Sequence, residues 1–245
     1  MKKTQQQQQY KYEEFDEHVS LYNCIPAGAG HSLVLLRKII EGIQSGNFNR
    51  NPSLIIVGEN AREMAVATAN ALCSPDIREI DSKLLFTTKN QMDFFSDSSY
   101  EVVHIICNVS KIGLSESVLW QFIKNREYKF QMMDRSVQSI FCHGLIILTA
   151  DEVKSIPSTL IQAVDFKATQ EQFTQDQLEL LVHQRLKFCG IDYLDDGKLL
   201  KLIVELGHSK LYLINYLLKI CILLAQTEHN NNLSLRTVQR ASKLV

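Results

Sequence analysis

The feature that most constrains this fold is the alternation of short, wholly apolar runs with helix-like segments. The first instance is SLIIVGENAREMAVATANAL, Ser53 to Leu72. Leu54 to Val57 is an unbroken aliphatic run, the pattern of a strand buried on both faces. Gly58 ends it, and EMAVATANAL follows within a few residues, its small side chains suited to a helix packed closely on a sheet. The pattern then repeats. EVVHIICNV (Glu101 to Val109) predicts a second buried strand, and SESVLWQFIKN a helix with Ser115 as its N-cap. GLIILTA (Gly144 to Ala150) predicts a third strand and AVDFKA a fourth. Such alternation implies an α/β fold with a mostly parallel sheet covered by helices.

Upstream, HSLVLLRKIIEGIQSGN places Leu35, Leu36, Ile39, Ile40 and Ile43 on one helical stripe, stopped by Gly46 and Asn47. Beyond about Thr169 the strands stop. TQDQLELLVHQRLKFCG predicts a helix ending at Gly190. DDGKLLKLIVELGH, SKLYLINYLLKICILLAQ and SLRTVQRASKLV predict three more. The expected organisation is a disordered, glutamine-rich tail over residues 1–14, an α/β core over 15–169 and a small all-helical domain over 170–245.

Composition narrows the function classes. A net charge of −1 over 245 residues gives no overall pull toward nucleic acid or anionic lipid, so any such binding must come from a local patch. The six cysteines show no CxxC pair and sit mostly in apolar segments, as free thiols do in a reducing compartment. The seven histidines form no HxH or HExxH cluster, so no structural metal is expected. The N-terminus lacks the apolar stretch of a signal peptide. The longest apolar run, Leu211 to Ala225, holds Asn215 and Lys219 and falls short of the roughly 18 residues a membrane span needs. The expected setting is the cytoplasm, with no membrane partner.

An α/β core followed by a small helical lid resembles the AAA+ ATPases, and several segments resemble one branch, RuvB, the motor of Holliday-junction branch migration. LKFCGIDYLDDGKLLKLIVELGHSKLYLINYLLKI is similar to that family's lid, with Gly207-His208-Ser209-Lys210 at the place of its Gly-x-Pro-Arg turn. LSLRTVQRASKLV is similar to the helix that closes the lid. VHIICNVSKIGLSESVLWQFIKN resembles the Walker B strand and the helix behind it. GLIILTADEVKSIPSTLIQAVDF resembles the sensor 1 strand running to the arginine-finger segment. The resemblance covers residues 15–245, and no counterpart of the family's winged-helix domain is expected after Val245.

The resemblance implies a nucleotide site, yet the residues that carry its chemistry are altered. A phosphate-binding loop needs glycines, a lysine for the β and γ groups and a Ser/Thr for Mg²⁺. In VGENAREMAV only Gly58 and Asn60 suit a tight loop, Glu59 and Glu63 are negative, and Arg62 is not at the lysine's position. Cys107 and Asn108 stand at the Walker B places where the family has Asp-Glu. Ala163 stands at the arginine-finger place, and sensor 1 falls near Ala150 and Asp151. Only the sensor 2 place keeps a cation, as Lys210. Any retained nucleotide site would use Gly58, Asn60 and Lys210. No cofactor is expected, although binding of ATP or ADP is not excluded.

Other constellations have plainer readings. His104 and Cys107 are three apart on a strand and point to opposite faces, so they form no nucleophilic pair. KNREYKFQMMDR mixes Lys124, Arg126, Lys129 and Arg135 with Tyr128 and Phe130, but acidic residues interrupt it and a solvated edge fits better than a nucleic-acid surface. Arg236, Arg240 and Lys243 fall at i, i+4 and i+7 and form a candidate face for a partner or DNA.

The expected function is that of a non-hydrolysing RuvB-like protein acting by binding. It would join or cap a ring of AAA+ subunits, or serve as an adaptor linked to DNA recombination or repair. The alternatives are a divergent but active ATP-dependent DNA motor and a partner-free nucleic-acid-binding module.

Overall fold

The computed structural model describes residues 30–95, 99–113, 116–131, 135–170, 172–194, 197–228 and 231–245. The expected disordered tail (residues 1–14) and the Ser115 cap lie outside them. The chain divides into two compact units, which meet between residues 171 and 172.

The first unit is built on helix α1 (Gly30–Gln44), strand β1 (Ser53–Val57), α2 (Ala61–Ala71), β2 (Asp76–Asp81), α3 (Thr88–Phe95) and β3 (Val102–Cys107). It continues through α4 (Glu116–Asn125), the strands β4 (Glu127–Gln131), β5 (Val137–Phe141) and β6 (Leu145–Ala150), α5 (Ser158–Ala163) and β7 (Phe166–Thr169). Five strands form one sheet in the order β2-β3-β6-β1-β7, and every neighbouring pair is parallel. The central strands β1, β3 and β6 are buried at every position. That burial is why they appear in the sequence as unbroken apolar runs.

One face of the sheet carries Ile55, Val57, Ile106, Ile146 and Leu148, packed with Phe95, Leu119, Phe122, Leu160 and Ala163 from α3, α4 and α5. Helix α2 packs against β1, β3 and β6, and α1 against β7. The small residues Ala61, Ala65, Ala69 and Ala71 of α2 are buried, as a close helix–sheet approach requires. The buried stripe of α1 is Leu33, Leu36, Ile39 and Ile40, while Leu35 and Ile43 are half-buried, so the apolar face is rotated from the one expected. Gly46 ends α1 as expected. It is left-handed (φ +67°), and the bonds Gly46 N–H to Ile43 O and Asn47 N–H to Gly42 O close the helix.

Four parts of this unit are absent from the sequence reading: helices α3 and α5, strand β2 and the β4–β5 hairpin. Edge strand β2, DIREID, alternates half-buried and exposed residues and pairs only with β3. Strands β4 and β5 form an antiparallel hairpin within the expected solvated edge.

The second unit holds the four helices expected: α6 (Gln175–Phe188), α7 (Lys198–Leu206), α8 (Leu211–Glu228) and α9 (Leu235–Ala241). It is not wholly helical. The two-residue strands β8 (Asp192–Tyr193) and β9 (Asn232–Leu233) pair in parallel, because the chain segments entering α7 and α9 run side by side. Helix α6 opens with a capping box in which Thr174 and Gln177 exchange bonds, and closes at left-handed Gly190. The core of this unit is aliphatic: Leu181, Val182, Leu186, Ile203, Ile214, Leu218 and Ala225 are all fully buried. Among the described residues no helix is long and apolar enough to cross a membrane.

Candidate nucleotide site

The C-terminal edge of the parallel sheet is where an α/β fold places a ligand. Here it is bounded by the β1–α2 connection and the ends of β2, β3 and β6. The β1–α2 connection is three residues: Gly58, Glu59 and Asn60. Gly58 N–H donates to Ala150 O at 2.9 Å, and Gln170 N–H donates to Val57 O at 2.7 Å, so pairing continues to the very end of β1. Ala61 N–H donates back to Gly58 O at 3.1 Å, which closes the turn on itself. A glycine is needed for a local reason. Its φ is +143°, and a Cβ there would stand 2.9 Å from the Cβ and 3.0 Å from the carbonyl oxygen of Gln170. Asn60 takes the N-cap position of α2, is 5% exposed and makes no side-chain capping bond.

The ends of β2 and β3 carry a polar network. Arg62, in the first turn of α2, grips Glu79 of β2 bidentately through Nε and Nη2, the latter at 2.9 Å. The bond to Glu79 holds the guanidinium above its ordinary pKa. Glu79 also accepts the Cys107 thiol at 3.3 Å. Burial, and next the Glu79 charge, push that thiol up to about 11. Asn108 is left-handed (φ 59°) and donates its side-chain amide to Asp81 at 2.7 Å. Asp81 also accepts the Lys83 N–H, and Ser82 Oγ donates to the Asn108 carbonyl at 2.7 Å. Glu79 and Asp81 are the site residues that sequence reasoning missed. Their signal is the alternation in DIREID, which marks a strand lying beside an apolar one.

The network is anchored in a sheet of defined order and register. That fold aligns with RuvB of Thermotoga maritima, the Holliday junction branch migration motor, at a TM-score of 0.68. Identity is 13%, and the alignment covers 94% of this chain and 73% of that one. Two single-substitution variants of the same protein align at TM-scores of 0.67 and 0.66, each at 12% identity, covering 94% and 92% of this chain and 73% and 72% of theirs. The fold is RuvB-like AAA+. No protein-family model matches the sequence, and no curated protein matches it.

Of the remaining expected residues, Gly58 and Asn60 lie two positions apart in the first unit, and Lys210 belongs to the second. Lys210 is exposed at the start of α8, where its carbonyl accepts the Ile214 N–H and its own N–H donates to Gly207 O. His208 and Ser209 before it are both left-handed. Ala163, at the expected arginine-finger place, is 1% exposed and packs in the core against the sheet. A finger must reach outward, so this position presents nothing to a neighbouring subunit. Ala150 is buried and Asp151 exposed.

The weaker expectations also resolve. His104 faces Phe94 and Phe95, while Cys107 meets Glu79, so the two do not meet. Arg126 is not a surface cation. It is 8% exposed, and its guanidinium donates to the carbonyls of Gly144 and Asn51. Tyr128 and Phe130 stack on each other and pack on the core, so the hairpin offers no row of exposed rings. Arg236 and Arg240 are exposed on α9, but that helix ends at Ala241. Lys243 lies just beyond it, also exposed, in a turn whose Lys243 N–H donates to Arg240 O. Among the described residues no group of His, Cys, Asp and Glu is placed to hold a metal.

Proposed function

We propose that this chain is a non-hydrolysing RuvB-fold protein that acts by binding. It joins or caps a ring of AAA+ subunits, or serves as an adaptor of a DNA-processing complex, in the cytoplasm. The observation that carries this reading is the three-residue β1–α2 connection. The phosphate-binding pattern spans about eight residues, whose free backbone N–H groups surround the phosphates. Here the Gly58 N–H and the Ala61 N–H are both already bonded within the fold.

The donor set does not fit a magnesium nucleotide either. Hard divalent cations take oxygen ligands, mostly carboxylates. At the Walker B places stand a protonated thiol and an amide bonded to Asp81. An amide cannot act as a general base toward water. The carboxylate of Glu79 is engaged by Arg62 and Cys107, and that of Asp81 by Asn108 and the Lys83 N–H. The apolar scaffold persists while the charged chemistry is gone, which favours a role in assembly over a role in hydrolysis.

The test is an ATPase assay with Mg²⁺ and DNA beside a thermal shift with ATP and ADP. Hydrolysis at background and an unchanged melting temperature are expected, since a ligand that binds the native state must stabilise it. Hydrolysis well above background would overturn the reading. Affinity capture from the native cells, scored for AAA+ subunits and DNA-repair proteins, tests the partner.

A further inference from the structure

Building on the non-hydrolysing reading, we infer that the place of the metal nucleotide is filled from within. The Arg62 guanidinium is its cation, Glu79 is the counterion, and the pair holds this edge of the sheet in one nucleotide-independent state. The placement follows from three elements. Arg62 stands in the first turn of α2, directly after the β1–α2 connection. Glu79 Oε1 accepts both its Nε–H and the thiol of Cys107, the residue at the end of β3 where the resemblance puts a metal-binding carboxylate. Glu79 itself lies on β2, whose residues Asp76–Asp81 run beside Val102–Cys107 in parallel register. The pair therefore ties α2 to β2 across the end of β3.

A second tie lies one step further along. Asp81 is the register partner of Cys107, and it takes the Asn108 amide; Ser82 Oγ returns a bond to the Asn108 carbonyl. The segments Ser82–Phe86 and Val109–Lys111, which follow β2 and β3, are thus held to each other by side chains of this chain. In nucleotide switches the equivalent ties run through a γ-phosphate and its metal and are released on hydrolysis. Here both charges are covalently part of the protein and cannot leave. At Glu79 itself one guanidinium faces the carboxylate beside a neutral thiol, so a divalent cation approaching that carboxylate would find it already paired and would meet a fixed positive group.

Hydrogen exchange followed by mass spectrometry on the full chain tests this, using wild type, Arg62→Ala, Glu79→Gln and the charge swap Arg62→Glu with Glu79→Arg, each with and without MgATP. The ion pair is partly exposed, with side chains 57% and 33% accessible, so the effect is modest. Either single variant should exchange about two- to fivefold faster in peptides covering Ala61–Ala71 and Asp76–Asp81, the two elements that the pair joins. The β4–β5 hairpin should be unchanged, and the swap should recover most of the protection. If Arg62→Ala fails to fold, the isosteric Glu79→Gln carries the same comparison. Single variants that exchange like wild type, or a swap no better than they are, would overturn the inference. MgATP that slowed exchange in wild type would also overturn the inference, because the place would then be open to the nucleotide; the non-hydrolysing reading falls only if ATP is hydrolysed.

Discussion

Replacing His104 by phenylalanine should remove a large part of the acid sensitivity of the first unit. His104 lies on β3 with no solvent exposure, its ring 5.1 Å from that of Phe94 and 5.2 Å from that of Phe95. Burial, and next the positive charge of Arg78, lower its pKa from 6.5 to about 4; Asp76 opposes this and Arg126 adds to it. The sign follows from the depressed value. Above pH 6.5 the imidazole is neutral whether folded or unfolded, and costs nothing. As pH falls below 6.5 the unfolded chain takes up a proton that the folded chain refuses, so stability is lost until about pH 4 and the loss then levels off. At 1.36 kcal/mol per pKa unit the loss is about 2 kcal/mol at pH 5.0 and about 3 kcal/mol in full. Phenylalanine cannot titrate. Its own packing cost is the same at every pH and cancels when two pH values are compared. The assay is urea unfolding at pH 7.5 and 5.0, followed by Trp120, the single tryptophan, which lies in the same unit. The stability of wild type relative to His104→Phe should fall by about 2 kcal/mol between the two pH values. Parallel losses in the two proteins would refute the reasoning.

Gly207→Ala should destabilise the second unit, against the usual gain from replacing glycine near a helix end. The φ of Gly207 is ordinary at −80°, but a Cβ would stand 2.4 Å from Ile214 Cγ1 and 3.0 Å from the Ile214 nitrogen. Forcing α7 and α8 apart should cost roughly 1–3 kcal/mol, visible as a lower midpoint in far-UV circular dichroism; equal or higher stability would refute it. Among the five described cysteines, Cys73 is exposed and Cys107, Cys142, Cys189 and Cys221 are buried. Burial also pushes the Cys221 thiol up to about 12. Brief alkylation of native protein, mapped by mass spectrometry, should label Cys73 at least tenfold faster than those four. Equal labelling of Cys107 would contradict the closed network around it.

The central strands and most of the helices were legible in the sequence, because burial and capping are written in local patterns; α3 and α5 were not read. Leu54–Val57 is wholly apolar and Leu145–Ala150 apolar but for Thr149, since both faces of each strand are covered. The end of α1 at Gly46, and both ends of α6, at Thr174 and Gly190, follow from side chains within a few positions of the bonds they make. That no Gly-Lys-Ser or Gly-Lys-Thr follows Gly58, and that Cys107 and Asn108 stand where the resemblance expects Asp-Glu, is read from the sequence without any geometry. Strand β2 and the hairpin were not legible. Their residues are mixed, and they become strands only through pairing partners such as Val102 for Asp76 and Phe141 for Glu127. The end of α9 at Ala241, before Lys243, was not legible either, because spacing alone does not say where a helix stops. The network at the site belongs wholly to tertiary structure. Arg62 and Glu79 are 17 positions apart, and Cys107 and Glu79 are 28. A pattern with a period of two or 3.6 residues records which face is buried, but it carries no information about which distant charge will lie opposite. That is decided only when the parallel strands take their order and register.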